Sequence, residues 1–508
     1  MENHSKNELT NSNKEEQEDL TLKYILENIQ STIILFCNPI SGNQEGKIIL
    51  DIASNYKTKE NYKLVDFQYL SSKKAYEKIK LVVFELINKE DNAKGQVLLR
   101  QCSEKCKENS AKGLPEQFRK IRTLIGGGDG TVLSMIENFI KNGTDINYCI
   151  FGHIPLGTGN DLSNTLGFSD HINISENNLD DLYNVTEKYF RAKFGKIDIW
   201  KIDLKLNEDD GKILLNTKNG KVPLKDEQGN VIKRYIRTFI NYASLGYDAR
   251  IGYNFDPKRT NSRNKNKCIY FCEGFKKLLC RKTVSVQGFL DTLSIYDSSE
   301  NSINQERFFD DIPKTENRFN LPSNDPNLKY QFISKNSYQK EIEVEKEKKI
   351  LKKCLVIEGK PCSIIFQNIS NYMSGVTDIW GKGKEHLAVE VKNVDKKEKK
   401  IYTEKLKEMA DEKQKYNDKK IEVFTFDNGF ETGFEKVIGG FAKKIYHGRG
   451  PMELKFLETP EYTDKDRKHR IYLNVDGEYF HIVKPETMRI ELNRELCQGQ
   501  LPFLVGNI

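Results

Sequence analysis

Residues 123–131, with the sequence T-L-I-G-G-G-D-G-T, constrain the fold more than any other stretch of the chain. Apolar residues before the glycines are typical of a buried strand, and apolar residues recur at roughly helical spacing from Val132 to Ile140. The pattern predicts a strand that turns through glycines into a helix. Glycine lets a ligand approach the backbone, and a helix N-terminus favours an anion. We therefore expect a phosphate-binding turn, formed by Gly126, Gly127, Gly128, Gly130 and Thr131.

Asp129 interrupts these glycines, although a carboxylate repels a phosphate. Such a position makes sense where a cation lies between the two groups, or where the carboxylate accepts a proton from an attacking hydroxyl. The alternative is a helix-capping aspartate in an ordinary glycine-rich turn. We expect Asp129 to be a catalytic base or a metal partner.

A second apolar run, residues 33–37, ends in the turn N-P-I-S-G. The letters that follow nearly spell the P-loop pattern, but a serine stands where its first glycine belongs and an isoleucine follows the lysine. The turn still offers polar and flexible positions for phosphate contacts at Asn38, Ser41 and Gly42. Lys47 can reach a phosphate, and a solvated lysine is an equally good interpretation.

A third apolar run, residues 148–154, leads into P-L-G-T-G-N-D-L. Gly157 and Thr158 leave the backbone open to a ligand, and Asn160 or Asp161 is suited to cap the helix that follows. Three strands that each deliver a turn into a helix predict a parallel sheet. Ligands of such sheets bind along the edge where the strands end, so we expect the three turns to share one site.

Strand-like segments rich in aromatic and β-branched residues follow residue 190 and predict a second, β-rich domain. Asp198 lies within an apolar strand, where a carboxylate is normally hydrogen-bonded or linked to a metal. The turn N-V-D-G-E near the end of the chain contains Asp476 and Glu478 inside a strand hairpin. A D-G turn is by itself only a hairpin signal.

The 508 residues suffice for two or three domains, and 31% charged residues indicate much solvated surface. We expect a disordered tail over residues 1–30 with a short helix near its end, a first domain over residues 31–190 and a second over residues 191–508. Three charged segments look like insertions: a polar hairpin at residues 207–233, a segment at residues 283–357 and a charged helix at about residues 383–420. We expect the last two to be dispensable for the chemistry.

Charge and cysteine usage exclude several classes of protein. A net charge of +7 is mild for this length, so general nucleic-acid binding is not expected. Ten cysteines without a C-x-x-C motif indicate reduced, mostly structural thiols of an intracellular protein rather than a zinc site. The sequence has neither a secretion signal nor a long apolar run, which predicts a cytoplasmic location.

Residues 256–282 contain nine basic residues against two acidic ones, with Tyr270, Phe271 and Phe275 among them. Such a segment can dock on anionic lipid headgroups with its aromatic rings at the interface. A solvated basic helix is the equally weighted alternative. We expect the stretch from Arg259 to Lys282 to be the contact with an anionic lipid surface.

The motifs together resemble the eukaryotic-type diacylglycerol kinases. N-P-I-S-G, G-G-G-D-G-T-V and P-L-G-T-G-N-D-L-S occur in that order, and the accessory stretches F-I-N-Y-A-S-L-G-Y-D-A-R-I, N-I-S-N-Y-M-S-G-V-T-D-I-W-G and N-V-D-G-E follow. The resemblance implies an α/β nucleotide-binding domain like that of phosphofructokinases and NAD kinases, followed by a β-sandwich domain with charged insertions. The cysteine-rich zinc modules of most animal members are absent from the sequence.

The resemblance also implies roles for single residues. The glycines and polar residues of the three turns, including Asn160, would hold the phosphates of ATP, and Asp129 would be central to catalysis. Asp476 and Glu478 match a D-G-E motif placed near the acceptor hydroxyl. Asp161 and Asp198 match acidic positions of a magnesium–water network, so ATP and Mg²⁺ are the expected cofactors.

The implied function is ATP-dependent phosphorylation of the primary hydroxyl of diacylglycerol to phosphatidate, in lipid signalling and phospholipid metabolism. Because the substrate lies in a bilayer, the protein is expected to associate with membranes reversibly. A sphingoid or ceramide kinase, and a catalytically silent lipid-binding protein, are the alternatives. The many carboxylates near the predicted site argue against the silent protein.

Overall fold

A computed structural model describes residues 20–41, 44–57, 62–70, 78–157, 159–169, 171–260, 262–280, 285–296, 328–346, 354–372, 378–383, 387–435, 439–457 and 470–506. The chain divides into two compact units. The first comprises Met1–Ile197, Asn261–Asn264 and Gln500–Ile508, and the second comprises Asp198–Thr260 and Lys265–Gly499. Strands and helices are numbered below along the whole chain.

The first unit contains seven strands and seven helices among its described residues. The strands are β1 (Thr32–Cys37), β2 (Lys63–Asp66), β3 (Lys80–Glu85), β4 (Ile121–Gly127), β5 (Cys149–Pro155), β6 (Lys193–Asp198) and β23 (Gln500–Val505). The helices are α1 (residues 20–27), α2 (Glu45–Asn55), α3 (Phe67–Leu70), α4 (Lys89–Ala111), α5 (Asp129–Lys141), α6 (Asp161–Thr165) and α7 (Leu179–Phe190). The strands form one sheet in the order β2-β3-β1-β4-β5-β23-β6.

The three strands predicted from the apolar runs are neighbours in the middle of this sheet. β1 pairs with β4 and β4 pairs with β5, both in parallel, and every residue of the three strands is buried. Continuous apolar runs suit strands covered on both faces. The prediction of a parallel sheet with three turns at one edge is therefore confirmed.

The ends of the chain differ from the expected domain layout. Residues 500–505 were expected in the second domain, but β23 pairs in parallel with β5 of the first sheet, and Leu501, Phe503 and Leu504 are buried. At the other end, the short helix expected near the end of the tail forms over residues 20–27, and Ile25 and Ile29 are buried. The rest of the predicted tail, residues 1–19, lies outside the described residues.

The second unit contains the remaining strands and six helices among its described residues. The strands are β7 (Trp200–Leu206), β8 (Lys212–Thr217), β9 (Gly220–Pro223), β10 (Arg234–Phe239), β11 (Tyr242–Gly246), β12 (Leu290–Tyr296), β13 (Leu328–Ser334), β14 (Cys354–Ile357), β15 (Ser363–Gln367), β16 (Val389–Lys392), β17 (Ile421–Phe426), β18 (Lys443–Gly448), β19 (Met452–Phe456), β20 (Ile471–Val475), β21 (Glu478–Val483) and β22 (Pro485–Leu492). The helices are α8 (Tyr247–Phe255), α9 (Arg263–Cys280), α10 (Lys335–Lys346), α11 (Ile379–Lys382), α12 (Lys396–Asp411) and α13 (Gly429–Glu435).

These strands form two eight-stranded sheets that share one core. One sheet has the order β10-β7-β22-β19-β12-β13-β14-β16, and the other has the order β18-β17-β15-β11-β20-β21-β8-β9. Ile202, in the sheet that contains β7, and Leu245, in the sheet that contains β11, belong to the same buried apolar cluster. Two sheets that bury one apolar face each against the other form a sandwich, so the predicted β-sandwich is confirmed.

The predicted insertions carry more of this fold than expected. The prediction is wrong for residues 283–357, because β12, β13 and β14 belong to the eight-stranded sheet that contains β7. Leu293, Phe332 and Leu355 of these strands lie in the core. Residues 207–233 contain the expected hairpin, β8–β9. β8 also pairs with β21 and so extends the eight-stranded sheet that contains β11. Residues 383–420 contain the expected charged helix, α12, with Leu406 buried on one face.

No helix in the described ranges combines the length and the apolar composition that crossing a membrane requires.

Candidate active site

The turns after β1, β4 and β5 meet at one edge of the first sheet. The backbone N–H of Asn38, directly after β1, donates to the carbonyl of Gly126 at 2.9 Å. The N–H of Leu156, directly after β5, donates to the carbonyl of Gly127 at 2.9 Å. Hydrogen bonds between backbone groups thus connect all three turns.

Glycine is required where two of the turns touch. A Cβ placed on Gly157 would lie 2.5 Å from the Cα of Gly128, which is closer than real Cβ atoms come to backbone atoms. A side chain at Gly157 would therefore separate the two turns, whereas a Cβ on Gly128 would lie 3.5 Å from the Cα of Gly157, an ordinary contact. Their backbones form a cradle of the kind that phosphate groups occupy, at the N-terminus of the 13-residue helix α5.

The turn after β1 is only partly described. Asn38 is half-buried, and its side-chain oxygen accepts the N–H of Ile40 at 3.2 Å. Ser41 is half-buried and Lys47, in the first turn of α2, is exposed. Gly42 lies outside the described residues, and so does Thr158 of the turn after β5. Phosphate contacts of these residues stay predictions.

Asn160 shapes its turn instead of capping a helix. Its φ of 86° is left-handed, and its side chain makes no capping hydrogen bond to α6. The side-chain oxygen accepts the N–H of Gly157 at 2.9 Å, and the side-chain nitrogen donates to the carbonyl of Gly157 at 3.0 Å. The capping prediction is wrong for Asn160 because the side chain folds back onto its own turn, which it holds against Gly128.

Asp129 connects the glycine turn to the helix that follows β5. It is the first residue of α5, and its carboxylate accepts the N–H of Asp161 at 2.9 Å and that of Leu162 at 3.4 Å. Its side chain is 14% exposed. The carboxylate therefore caps α6, a different helix from its own, and still reaches the surface beside the glycines.

His153 is a polar residue of this site that sequence reasoning missed. It lies in β5, is completely buried, and its Nε2 is 3.0 Å from the carbonyl oxygen of Gly127. Its Nδ1 is 3.5 Å from Oδ1 of Asp129. Burial lowers the pKa of the ring to about 4, so the imidazole is neutral near pH 7. The only sequence signal was a histidine inside an otherwise apolar strand, which ordinarily indicates packing.

The two predicted metal ligands lie in different units. Asp161 is 6% exposed at the start of α6. Asp198 is completely buried, and its carboxylate accepts the N–H of Lys419 at 2.5 Å. Across the residues that the structure describes, no group of three or more His, Cys, Asp or Glu side chains is arranged to hold a metal ion. The predicted magnesium role of Asp161 and Asp198 stays a prediction.

The D-G-E motif forms the predicted hairpin turn between β20 and β21. The Asp476 carboxylate accepts the backbone N–H groups of Ile240, Asn241 and Tyr242 at 2.7, 2.9 and 3.0 Å. Glu478 is exposed and forms an ion pair of 2.9 Å with Arg237. Asp476 thus holds the start of β11, and a catalytic role of either acid stays a prediction.

Helix α9 covers most of the predicted lipid contact. Phe271 and Phe275 are 72% and 50% exposed, and Cys268 and Cys272 are exposed beside them. The spacing of these residues places them on one face. The expectation of mostly structural thiols therefore fails for Cys268 and Cys272, because their helix turns this face outward.

The opposite face of α9 packs against the second unit. Glu273 is buried and pairs with Lys258 at 2.5 Å, and Tyr247 donates from its hydroxyl to the carbonyl of Gly274 at 3.0 Å. The two phenylalanines lie on the outer face, and their exposed rings are not covered by any element that the structure describes. Contact of this face with a lipid surface stays a prediction.

Comparison with known proteins covers both units. The family model described as diacylglycerol kinase catalytic domain matches residues 32–201, and the one described as diacylglycerol kinase accessory domain matches residues 238–312 and 327–479. Together the two models match more than half of the chain.

Individual relatives are distant. Diacylglycerol kinase iota of Mus musculus is 28% identical over 192 residues, which are 35% of this chain and 16% of the relative. Diacylglycerol kinase 7 of Arabidopsis thaliana is 24% identical over 307 residues, which are 56% of each chain. The eye-specific diacylglycerol kinase of Drosophila melanogaster is 30% identical over 182 residues, which are 33% of this chain and 11% of the relative. The matched segments thus cover between 11% and 56% of the length of these relatives.

Adjacent parallel strands that end in glycine turns define the first unit as a nucleotide-binding α/β domain, and the second unit is a β-sandwich. The matches to the catalytic-domain and accessory-domain models identify the family within this class. The chain belongs to the diacylglycerol kinase family.

Proposed function

We propose that the chain transfers the γ-phosphoryl group of ATP to the primary hydroxyl of diacylglycerol and produces phosphatidate. The observation that carries the proposal is the cradle of Gly128 and Gly157, with the carboxylate of Asp129 beside it. The catalytic-domain match implies ATP as the donor, and the names of the relatives point to diacylglycerol as the acceptor.

The cradle fits a polyphosphate because backbone groups, rather than side chains, face it. A Cβ at Gly157 would clash with the Cα of Gly128, so the glycine keeps the two backbones in contact, and the helix N-terminus adds partial positive charge. ATP supplies the phosphoryl group that is transferred. The residues that would hold its phosphates are Asn38, Ser41, Gly126, Gly127, Gly128, Gly130, Thr131 and Gly157.

Asp129 is the residue that we assign to the acceptor hydroxyl. As the hydroxyl oxygen attacks the γ-phosphorus, its proton passes to the Asp129 carboxylate, and the bond to the leaving ADP breaks. An alcohol keeps its proton near neutral pH, so the transfer accompanies bond formation. Assistance of this kind contributes about 100-fold to 10,000-fold in rate.

Magnesium belongs to the proposal as the companion of ATP, since this ion is held largely by phosphates and water in kinases. The described carboxylates do not gather into a protein cage for it, because Asp129 bonds to the N–H groups of α6 and Asp198 bonds to that of Lys419.

Helix α9 is our proposed contact with the membrane that contains the lipid substrate. Phe271 and Phe275 can enter the headgroup region while exposed lysines, such as Lys265 and Lys276, contact anionic lipids. Each well-placed cation contributes about 1 kcal/mol to such binding, so contact through this face is reversible.

The deciding experiment offers purified chain labelled ATP, magnesium and vesicles that contain diacylglycerol, sphingosine or ceramide in separate reactions. We expect label in phosphatidate only. Label in a phosphorylated sphingoid or ceramide would assign the chain to the rival kinase class. Binding of lipid without transfer from ATP would instead identify a silent lipid-binding protein.

A further inference from the structure

The contact between His153 and Asp129 is incomplete in this structure. The carbonyl of Gly127 can only accept a hydrogen bond, so the Nε2 atom 3.0 Å away carries the proton of the neutral ring. Nδ1 then has a lone pair and no proton. It is buried, has no hydrogen-bond partner in the part of the chain that the structure describes, and faces Oδ1 of Asp129 at 3.5 Å. A buried acceptor without a donor is rare and calls for a physical reason.

Both atoms of this contact are acceptors while Asp129 is a carboxylate. Asp129 gains a proton to donate only when it takes one from another group. The shorter backbone bond, 2.9 Å from the N–H of Asp161, goes to Oδ2, whereas the bond from Leu162 to Oδ1 is 3.4 Å. Oδ1 is therefore the better-placed oxygen to carry a new proton, and it is the oxygen that faces Nδ1.

We infer that His153 is a positioning residue that makes Asp129 a better base: its Nδ1 accepts the hydrogen bond that Asp129 can donate only after receiving the proton of the acceptor hydroxyl. The inference rests on the proposed phosphoryl transfer. In that step the hydroxyl oxygen bonds to the γ-phosphorus, the electron pair of the broken bond leaves with ADP, and the hydroxyl proton ends on Oδ1. The Oδ1–H···Nδ1 bond is absent in the resting enzyme and forms as the proton leaves the hydroxyl oxygen, so it stabilises the protonated carboxyl and the late part of the step that resembles it.

His153 is held for this task from two sides. Its Nε2–H donates to Gly127, in the turn that carries Asp129, and its own backbone carbonyl accepts the hydroxyl of Tyr189 from α7. The ring therefore has one fixed tautomer and one fixed orientation. Rotation that would turn Nδ1 away from Asp129 would break the bond to Gly127.

Two substitutions separate the two contacts of the ring. In His153→Gln the longer side chain can keep a donor near the Nε2 position, toward Gly127, but leaves no acceptor toward Asp129. In His153→Asn the shorter side chain can keep an oxygen near the Nδ1 position, toward Asp129, but no longer reaches Gly127. Turnover number, KM for ATP and thermal unfolding are measured for both variants with diacylglycerol vesicles.

We expect His153→Gln to lower kcat about tenfold, the effect of one hydrogen bond made only in the transition state, with an unchanged KM for ATP. His153→Asn should keep more of kcat and unfold at a lower temperature. In an Asp129→Asn background, His153→Gln should have no further effect on residual turnover, because no carboxyl proton remains to be accepted.

A merely structural histidine gives a different result. Turnover per folded molecule would then be equal in wild type and His153→Gln, or both variants would change KM rather than kcat. Either result overturns the inference while an active wild type leaves the proposed function standing. A folded wild type that phosphorylates no lipid would overturn both together.

Discussion

Two of the Asp-Gly pairs in the chain, Asp129-Gly130 and Asp476-Gly477, have opposite surroundings. In the first unit, Asp129 begins a helix, and one of its oxygens faces a buried imidazole nitrogen that has no hydrogen-bond partner among the described residues. In the second unit, Asp476 sits in a hairpin and accepts three consecutive backbone N–H groups. The first carboxylate lies beside a glycine cradle, whereas the second is tied to the start of a core strand.

The difference indicates that an Asp-Gly pair can have a catalytic or a structural role, depending on the groups that surround its carboxylate. Three backbone N–H groups hold the Asp476 carboxylate in a structural contact at the start of β11. The neighbour of Asp129, His153, can accept a hydrogen bond from this carboxyl group only after Asp129 has gained a proton. We therefore assign the base to Asp129, and the following substitutions test that contrast.

The largest effect is expected for Asp129→Asn. Loss of the base should lower turnover by about 1,000-fold or more, while the amide oxygen can still accept the N–H of Asp161, and only the longer bond from Leu162 is lost. The unfolding temperature should therefore stay close to that of wild type. Turnover within tenfold of wild type, from a folded variant, would remove Asp129 from the catalytic step.

Asp476→Ala should act on stability instead. Three backbone N–H groups lose their acceptor, and we expect the free energy of unfolding to fall by about 3 kcal/mol, as measured by denaturant unfolding. Turnover per folded molecule should change little. A stable variant without activity would instead support the role near the acceptor hydroxyl that the D-G-E motif predicts.

Gly157→Ala tests the cradle next to Asp129. The new Cβ would meet the Cα of Gly128, and we expect the two turns to separate and the KM for ATP to rise about 30-fold, since overpacking costs about 2 kcal/mol. Gly288→Ala is the matched control, because a Cβ there meets no atom within 4 Å. Equal KM values for the two variants would contradict the cradle.

The smallest effect is expected at helix α9. Replacing Phe271 and Phe275 by serine should weaken binding to anionic vesicles about tenfold, and added salt should weaken wild-type binding further. Phe430 and Phe434 are an equally spaced exposed pair on α13, with exposures of 53% and 48%. If their replacement by serine weakens vesicle binding as much, α9 is not the membrane contact.

Part of this fold was predictable because its signals are local. The apolar runs before N-P-I-S-G, G-G-G-D-G and P-L-G-T-G become β1, β4 and β5, since a strand buried on both faces needs continuous apolar residues. The D-G pair at Asp476 forms a hairpin turn between two adjacent strands, and this signal is also local. Short segments and their immediate turns carry all of this information.

Long-range pairing was not predictable in the same way. No local pattern indicates that Phe503 pairs beside Phe151, or that β12, β13 and β14 join a sheet from within a polar, lysine-rich segment. At the site, His153 looked like a core residue and Asn160 like a cap. The partner of His153, Gly127, lies on a neighbouring strand, and Asn160 bonds to Gly157 because its left-handed backbone turns the side chain back onto its own turn.

Phosphatidate formation by Asp129→Asn and Asp476→Asn, assayed side by side with wild type on diacylglycerol vesicles and corrected for the folded fraction, tests the account most directly. We predict that wild type and Asp476→Asn form phosphatidate at similar rates and that folded Asp129→Asn forms almost none. Full activity of Asp129→Asn together with an inactive, folded Asp476→Asn would contradict the assignment of the base to the glycine turn.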